Sequence, residues 1–340
     1  MCYQGEEIFM SEHNIPVIDV GLLRERDLQG SREAARQIGQ ACRDIGFFYV
    51  RNHGISDVVI ADTFKFAEMF FSLPLEEKMK LSMERNSKCF RGYAPVLSEL
   101  ADGKRNSYEL MEFSVEFDEH HPDVLAGKPM HGPNLWPDIP GYRAAINRYI
   151  AELNGLGFDL MRGIAINLGL NQNFFEDAFN RRSFWQFRTT HYPEPDDVIR
   201  MVADAPQDGP VADIEVGDYS CGAHTDYGCL TILLANNPGL QVRNRDGEWF
   251  DAPAIPGAYI CNIGDMLQYW TGNLYVATLH RVLTDQSRIS LPFFFQPDYE
   301  TIVQPFGGVS EGRDKDFPPI QYGPYAFEKY KGIYPNCRVA

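Results

Sequence analysis

Apolar positions along the chain switch between a helical and a strand-like period, and the switches divide it. Residues 15–20 form a β-branched apolar run that predicts a strand. Ala35, Ile38, Ala41, Cys42 and Ile45 then recur at the spacing of one helix face, predicting a helix over 33–45 with Ser31 as its N-cap and Gly46 as its stop. Residues 47–50 return to a strand, 57–71 predict a second helix stopped near Pro74, and 76–80 read as a charged turn. A looser passage ends in a predicted strand over 109–117. From 141 to 170 the helical period returns for a long helix, with Gly155 and Gly157 as points of interruption. Beyond 184 the apolar runs shorten. Strands are predicted at 184–192, 229–234, 258–262 and 275–283, with a turn at 264–270. Asp246-Gly247 makes a hairpin between 241–243 and 249–250. Many short strands after a helical first third predict a mainly β protein with bracing helices, a single distorted double-stranded β-helix or jelly-roll.

Composition narrows this picture modestly. The 340 residues are 44% hydrophobic, ample for a core, and contain no apolar run long enough for a membrane span. The division expected is one functional unit over 1–340, with an N-terminal helical and strand region at 15–120 and a catalytic core at 184–300. Residues 1–14 read as a mobile tail, with Met10 as an alternative start, and lack the plan of a secretory signal; the expected location is the cytoplasm. Seven cysteines, odd in number and never in a Cys-X-X-Cys pair, fit reduced thiols better than a disulfide framework. A net charge of −16 argues against a nucleic-acid partner. It leaves room for an anionic small molecule, because a local arginine cluster outweighs the global field.

The polar residues that change the picture are His224-Thr225-Asp226-Tyr227-Gly228. In an extended strand residues two apart share a face, so an imidazole and a carboxylate would stand together. A lone His-X-Asp is a weak signal, since any half-exposed strand carries it by chance. Among only eight histidines, however, His280 also lies in a strand-like run. Two histidines and one carboxylate form the facial triad of non-haem Fe(II) oxygenases. Downstream, Arg288-Ile289-Ser290 sets a guanidinium and a hydroxyl on one strand face, a fork suited to a carboxylate. His53, His120, His121 and His131 read as structural or loop residues, and Cys221 and Cys229 as small strand residues.

At these residues the chain resembles the isopenicillin-N-synthase-like branch of the Fe(II)- and 2-oxoglutarate-dependent oxygenases, whose fold is a cupin-like jelly-roll. Further similar phrases are Asn52-His53-Gly54, Arg91-Gly92-Tyr93 and Asn262-Ile263-Gly264-Asp265. The resemblance implies Fe(II) on His224, Asp226 and His280, 2-oxoglutarate held by Arg288, Ser290 and Tyr192, and O2 as oxidant. It implies an oxidoreductase that hydroxylates, desaturates or cyclises a small biosynthetic molecule through a ferryl intermediate. Asp226 argues against halogenation, whose enzymes have a small residue there. Ser290-Leu291-Pro292-Phe293-Phe294 is equally similar to isopenicillin N synthase, so an oxidative cyclase that uses no 2-oxo acid stays open. Ethylene formation and a non-catalytic metal-binding protein are the remaining alternatives. Arg91, Tyr93, Phe187 and Phe294 are the candidate substrate residues, compatible with an amino acid, a peptide or a natural-product intermediate. The acidic passage at 194–218 is expected to cover the substrate.

Overall fold

The computed structural model describes residues 15–101, 104–179, 182–203, 220–306, 317–335 and 337. The expected mobile tail at 1–14 and most of the expected cover, 204–218, lie outside these residues. The beginning of that cover is a helix, Pro195–Ala203.

Two sheets carry the fold. The larger has eight strands in the spatial order Val17–Asp19, Phe47–Arg51, Tyr259–Ile263, Leu230–Ala235, Arg288–Phe295, Gln186–Tyr192, Glu109–Ser114 and Gly92–Ala94. Its first pair is parallel and the rest are antiparallel. The smaller sheet is antiparallel, in the order Trp249–Asp251, Leu240–Arg243, His280–Val282 and Cys221–His224. Buried residues of both sheets belong to one continuous apolar core, as a jelly-roll requires. Among the described residues no helix is long and apolar enough to cross a membrane.

Helices brace the larger sheet. Leu28–Asp44 and Asp57–Phe71 both pack on the long helix Tyr142–Asn167. The first starts earlier than predicted, because Asp27 rather than Ser31 caps it, accepting from the Gly30 amide at 2.7 Å. Gly46 stops it in the left-handed conformation, at φ 72°. The expected turn at 76–80 is a short helix, Leu75–Met79. The long helix runs through Gly155 and Gly157 without a break. Gly157 is there for packing, since a Cβ would stand 2.3 Å from the Phe295 ring.

The run 275–279 is not a strand, and only His280–Val282 joins a ladder. Its backbone is satisfied elsewhere: Val276 N–H donates to the Cys42 carbonyl, and Ala277 N–H to Gln268 Oε1 at 2.6 Å. The segment is therefore tied to the end of the bracing helix, and it delivers His280 to the start of an inner strand of the smaller sheet. His131, expected in a surface loop, is buried against Phe117, Phe184 and Tyr299.

Candidate active site

The Cys221–His224 strand stops at the first histidine, so Asp226 sits in the turn that follows and not on the same strand face. Strand pairing restores the constellation from another direction. His224 lies directly opposite His280 across the antiparallel ladder, with ring centroids 4.3 Å apart. The turn then folds the Asp226 carboxylate between them. Its Oδ1 lies 3.8 Å from His224 Nε2 and 3.7 Å from His280 Nε2, and one ligand atom from each residue falls within 4.8 Å of the others.

The polar groups around this triad fix its orientation. His224 Nδ1 stands 2.8 Å from the Gly222 carbonyl, and His280 Nδ1 3.0 Å from the Thr278 carbonyl. A carbonyl only accepts, so each Nδ1 carries a proton, and Nε2 is the nitrogen turned toward the centre, able to bind a metal once it has given up any proton. Asp226 Oδ2 accepts from the Thr231 hydroxyl and, at 2.6 Å, from the Asn262 amide, leaving Oδ1 to face the rings. Burial disfavours charge at all three groups. The two imidazoles and the Thr231 and Asn262 bonds nevertheless hold Asp226 below the usual carboxylate range. Burial and the neighbouring His224 push His280 down to about 4. Against the penalty of burial, the Cys221 sulfur and Asp226 push His224 up to about 10. Two neutral-capable imidazole nitrogens and a carboxylate oxygen converging from a strand pair and a turn are a donor set for a divalent transition metal with open positions.

Arg288 and Ser290 lie on one face of the Arg288–Phe295 strand, and Arg288 pairs directly with Tyr192. The guanidinium is buried over the Tyr192 ring, 4.9 Å from its centroid, and the Tyr192 side chain interacts with both Arg288 and Ser290. Arg288 Nε donates to the Asn237 carbonyl at 3.1 Å. Arg288 Nη1 is buried without a partner among the described residues. An unpaired buried guanidinium N–H is costly, and a carboxylate of a bound ligand would satisfy it. The residues present thus fit a carboxylate-bearing cosubstrate beside the triad.

Beside the triad opens a cavity of about 370 Å³, lined by His224 and Asp226 and also by Glu99, Tyr108, Arg188 and Phe294. Of the four candidate substrate residues only Phe294 reaches it. Arg91 is fully buried, its guanidinium donating to the Met130 and Gly132 carbonyls. Tyr93 is also fully buried and donates to Glu109 at 2.6 Å. Phe187 faces the opposite side of its strand and packs edge-on to Tyr149, ring centroids 5.5 Å apart. Glu99, Arg188 and the C-terminal helix Tyr322–Ile333 complete the cavity without having been anticipated. Arg188 carried a signal: it shares its strand face with Tyr192, four residues on.

At the cavity wall two carboxylates crowd one guanidinium. Arg188 stands 3.2 Å from Glu99 and 2.5 Å from Glu112 and lies over the Phe294 ring. Burial and, against the pull of Arg188, the Glu99 charge push Glu112 up to about 7. Glu99 stays tied by the Tyr108 and Tyr334 hydroxyls, both of which donate to it.

The chain matches two family descriptions, the N-terminal region of non-haem dioxygenases in morphine synthesis over residues 15–139 and the 2OG-Fe(II) oxygenase superfamily over 187–297. It is 35% identical to a probable iron/ascorbate oxidoreductase of Dictyostelium discoideum, covering 94% of this chain and 91% of that protein. It is 34% identical to a homoarginine-6-hydroxylase of Oryza sativa subsp. japonica, covering 93% and 96%. A full-length Neurospora crassa protein, solved in complex with alpha-KG and 5-formyluracil, superposes with a TM-score of 0.78 at 25% identity, covering 96% of this chain and 99% of that one. The triad, the jelly-roll that assembles it and these relatives lead to one conclusion: the chain belongs to the 2OG-Fe(II) oxygenase family and is an Fe(II)- and 2-oxoglutarate-dependent dioxygenase.

Proposed function

We propose that His224, Asp226 and His280 hold the Fe(II), that Arg288 with Ser290 and Tyr192 holds the distal carboxylate of 2-oxoglutarate, and that the cavity hydroxylates a small amino acid bearing a cationic nitrogen group. In this reading 184–300 is the catalytic core, braced by 15–120. Bound iron with 2-oxoglutarate and O2 supplies the oxidising power and releases succinate and carbon dioxide. The protein orients the ligands, excludes water and positions the substrate carbon. The unpartnered Arg288 Nη1 favours a carboxylate-bearing cosubstrate over an oxidative cyclase that needs none.

One observation carries the substrate class. Glu99 and Glu112 share a single guanidinium, so the wall around Arg188 has more carboxylate than cation to neutralise it. A guanidinium or ammonium group entering beside Glu99 would relieve that imbalance. The relatedness to a homoarginine-6-hydroxylase supports the same class.

The test begins with the anaerobic protein. Fe(II) plus 2-oxoglutarate should give the weak visible charge-transfer band of a chelated 2-oxo acid, and Arg288→Lys should weaken 2-oxoglutarate binding because a point charge cannot replace the fork. In air, a panel of basic, neutral and acidic amino acids should release succinate in step with a hydroxylated product only for the basic members, L-homoarginine among them. No band and no succinate would sink the cosubstrate assignment. Coupled turnover of neutral or acidic members alone would sink the substrate class.

A further inference from the structure

The C-terminal helix Tyr322–Ile333 forms one wall of the cavity, and its position is fixed by hydroxyls. Tyr334, just past its end, donates to Glu99, and Tyr330 donates to Glu112 at 3.4 Å. Phe90 packs against both rings, at centroid distances of 6.0 and 5.4 Å. Lys329 precedes Tyr330 and lines the cavity. Its ammonium lies over two aromatic faces, 5.1 Å from the Tyr227 centroid and 5.4 Å from that of Tyr325. Tyr227 directly follows Asp226, so this cation stands next to the turn that carries the triad's carboxylate.

Among the described residues, several lysines of the fold have a carboxylate partner that Lys329 lacks. Lys78, Lys80, Lys128 and Lys331 each pair with a carboxylate. Glu328, beside Lys329 in sequence, is drawn to Lys331 at 3.1 Å. Asp265 feels the charge of Lys329 without pairing with it. No carboxylate among the described residues forms an ion pair with the Lys329 ammonium. Arg188, the other lysine or arginine among the described residues that line the cavity, already shares its charge between Glu99 and Glu112. An anionic group on a ligand would therefore find an available counter-ion at Lys329 and not at Arg188. Two ring faces hold the ammonium without neutralising it.

We propose that Lys329 reads a free carboxylate on the prime substrate and makes the enzyme selective for an amino acid over the corresponding decarboxylated amine. The proposal rests on the cationic amino-acid reading above and adds the second pole of the substrate: nitrogen toward the Glu99 and Arg188 wall, carboxylate toward Lys329.

The experiment compares L-homoarginine with its decarboxylated amine in the wild type, Lys329→Met and Lys329→Arg. Binding is measured by anaerobic calorimetry on protein loaded with Fe(II) and 2-oxoglutarate, and turnover by succinate and product together. Losing a charge-assisted bond should raise the acid's Kd and KM at least about tenfold in Lys329→Met. The amine's values and the KM for 2-oxoglutarate should stay unchanged, and Lys329→Arg should retain most of the preference. Equal loss for acid and amine, or loss for neither, overturns the proposal. If the wild type binds neither compound, the substrate class fails, and the same acid-against-amine comparison on whichever amino acid the panel yields decides the role of Lys329.

Discussion

At the scale of single residues, the proposed iron site gives each ligand atom one task and ties the other atom down. Asp226 shows this most clearly, since Thr231 and Asn262 occupy Oδ2 while Oδ1 faces two imidazole nitrogens. A carboxylate freed from such partners rotates and binds a metal less well, typically by about 10–100-fold. Thr231→Val keeps the volume and removes the donor. It should fold normally, weaken Fe(II) or Mn(II) binding by about that factor and leave the 2-oxoglutarate requirement at saturating metal nearly unchanged. Metal titration followed by calorimetry checks this, and unchanged affinity would show that Asn262 alone fixes the carboxylate.

At the scale of elements, two neighbouring strands separate core from cavity by side-chain alternation. On the Gln186–Tyr192 strand, Gln186 and Arg188 face the cavity and Tyr192 the clamp, whereas Phe187 faces the core. On Arg288–Phe295, Arg288, Ser290 and Phe294 share the cavity-side face while Phe293 is fully buried on the other. Phe187→Ala should therefore cost about 3–5 kcal/mol of stability in chemical denaturation. Phe294→Ala should cost much less stability, since its ring is half-buried, and should instead raise the substrate KM. Reversal of these two effects would mean that the strand faces are assigned wrongly.

Alternation also explains what was legible in the sequence. The His224, Asp226, His280 and Arg288 spacing pointed to the chemistry because ligand-type polar residues recur beside strand-like apolar runs, although Asp226 itself lies in the turn after its strand. Phe187 was misplaced because aromatic character alone does not distinguish a cavity wall from a core, although its odd spacing from Tyr192 did. Arg91 and Tyr93 looked functional because they follow a looser passage within a phrase similar to the family's, yet their partners are main-chain carbonyls and a carboxylate distant in sequence. No local pattern foretold that Tyr330 and Tyr334 would return to Glu112 and Glu99, because that contact depends on how the whole chain closes.

At the scale of the whole molecule, a buried ion-pair network joins the helical N-terminal part to the catalytic sheet. Lys78 donates to Glu109 at 2.6 Å, Tyr93 donates to the same carboxylate oxygen, and His191 stands 2.9 Å from the other, immediately before Tyr192 of the clamp. Burial disfavours the Glu109 charge, yet His191 and Lys78 hold its carboxyl below the usual range. A carboxyl that titrates lower in the folded than in the unfolded protein stabilises the fold fully above the unfolded value of 4.5, and that contribution is lost as the pH falls through the folded value. Glu109→Gln removes the charge but keeps the shape, leaving Lys78 buried without its counter-ion. Near neutral pH the variant should be less stable by about 3–5 kcal/mol. The gap should narrow as the pH drops below about 4.5, because the wild-type carboxyl then loses the charge that the variant already lacks. Denaturant titrations of both proteins from pH 7 to 3 decide the matter: a gap that stays constant with pH would show that Glu109 contributes hydrogen bonds and packing and no charge. The same variant reports on the site, since His191 sits behind Tyr192 on the strand that pairs with Arg288. A rise in the KM for 2-oxoglutarate accompanying the loss of stability would tie the buried network to the clamp, whereas an unchanged KM would confine it to joining the two parts of the fold.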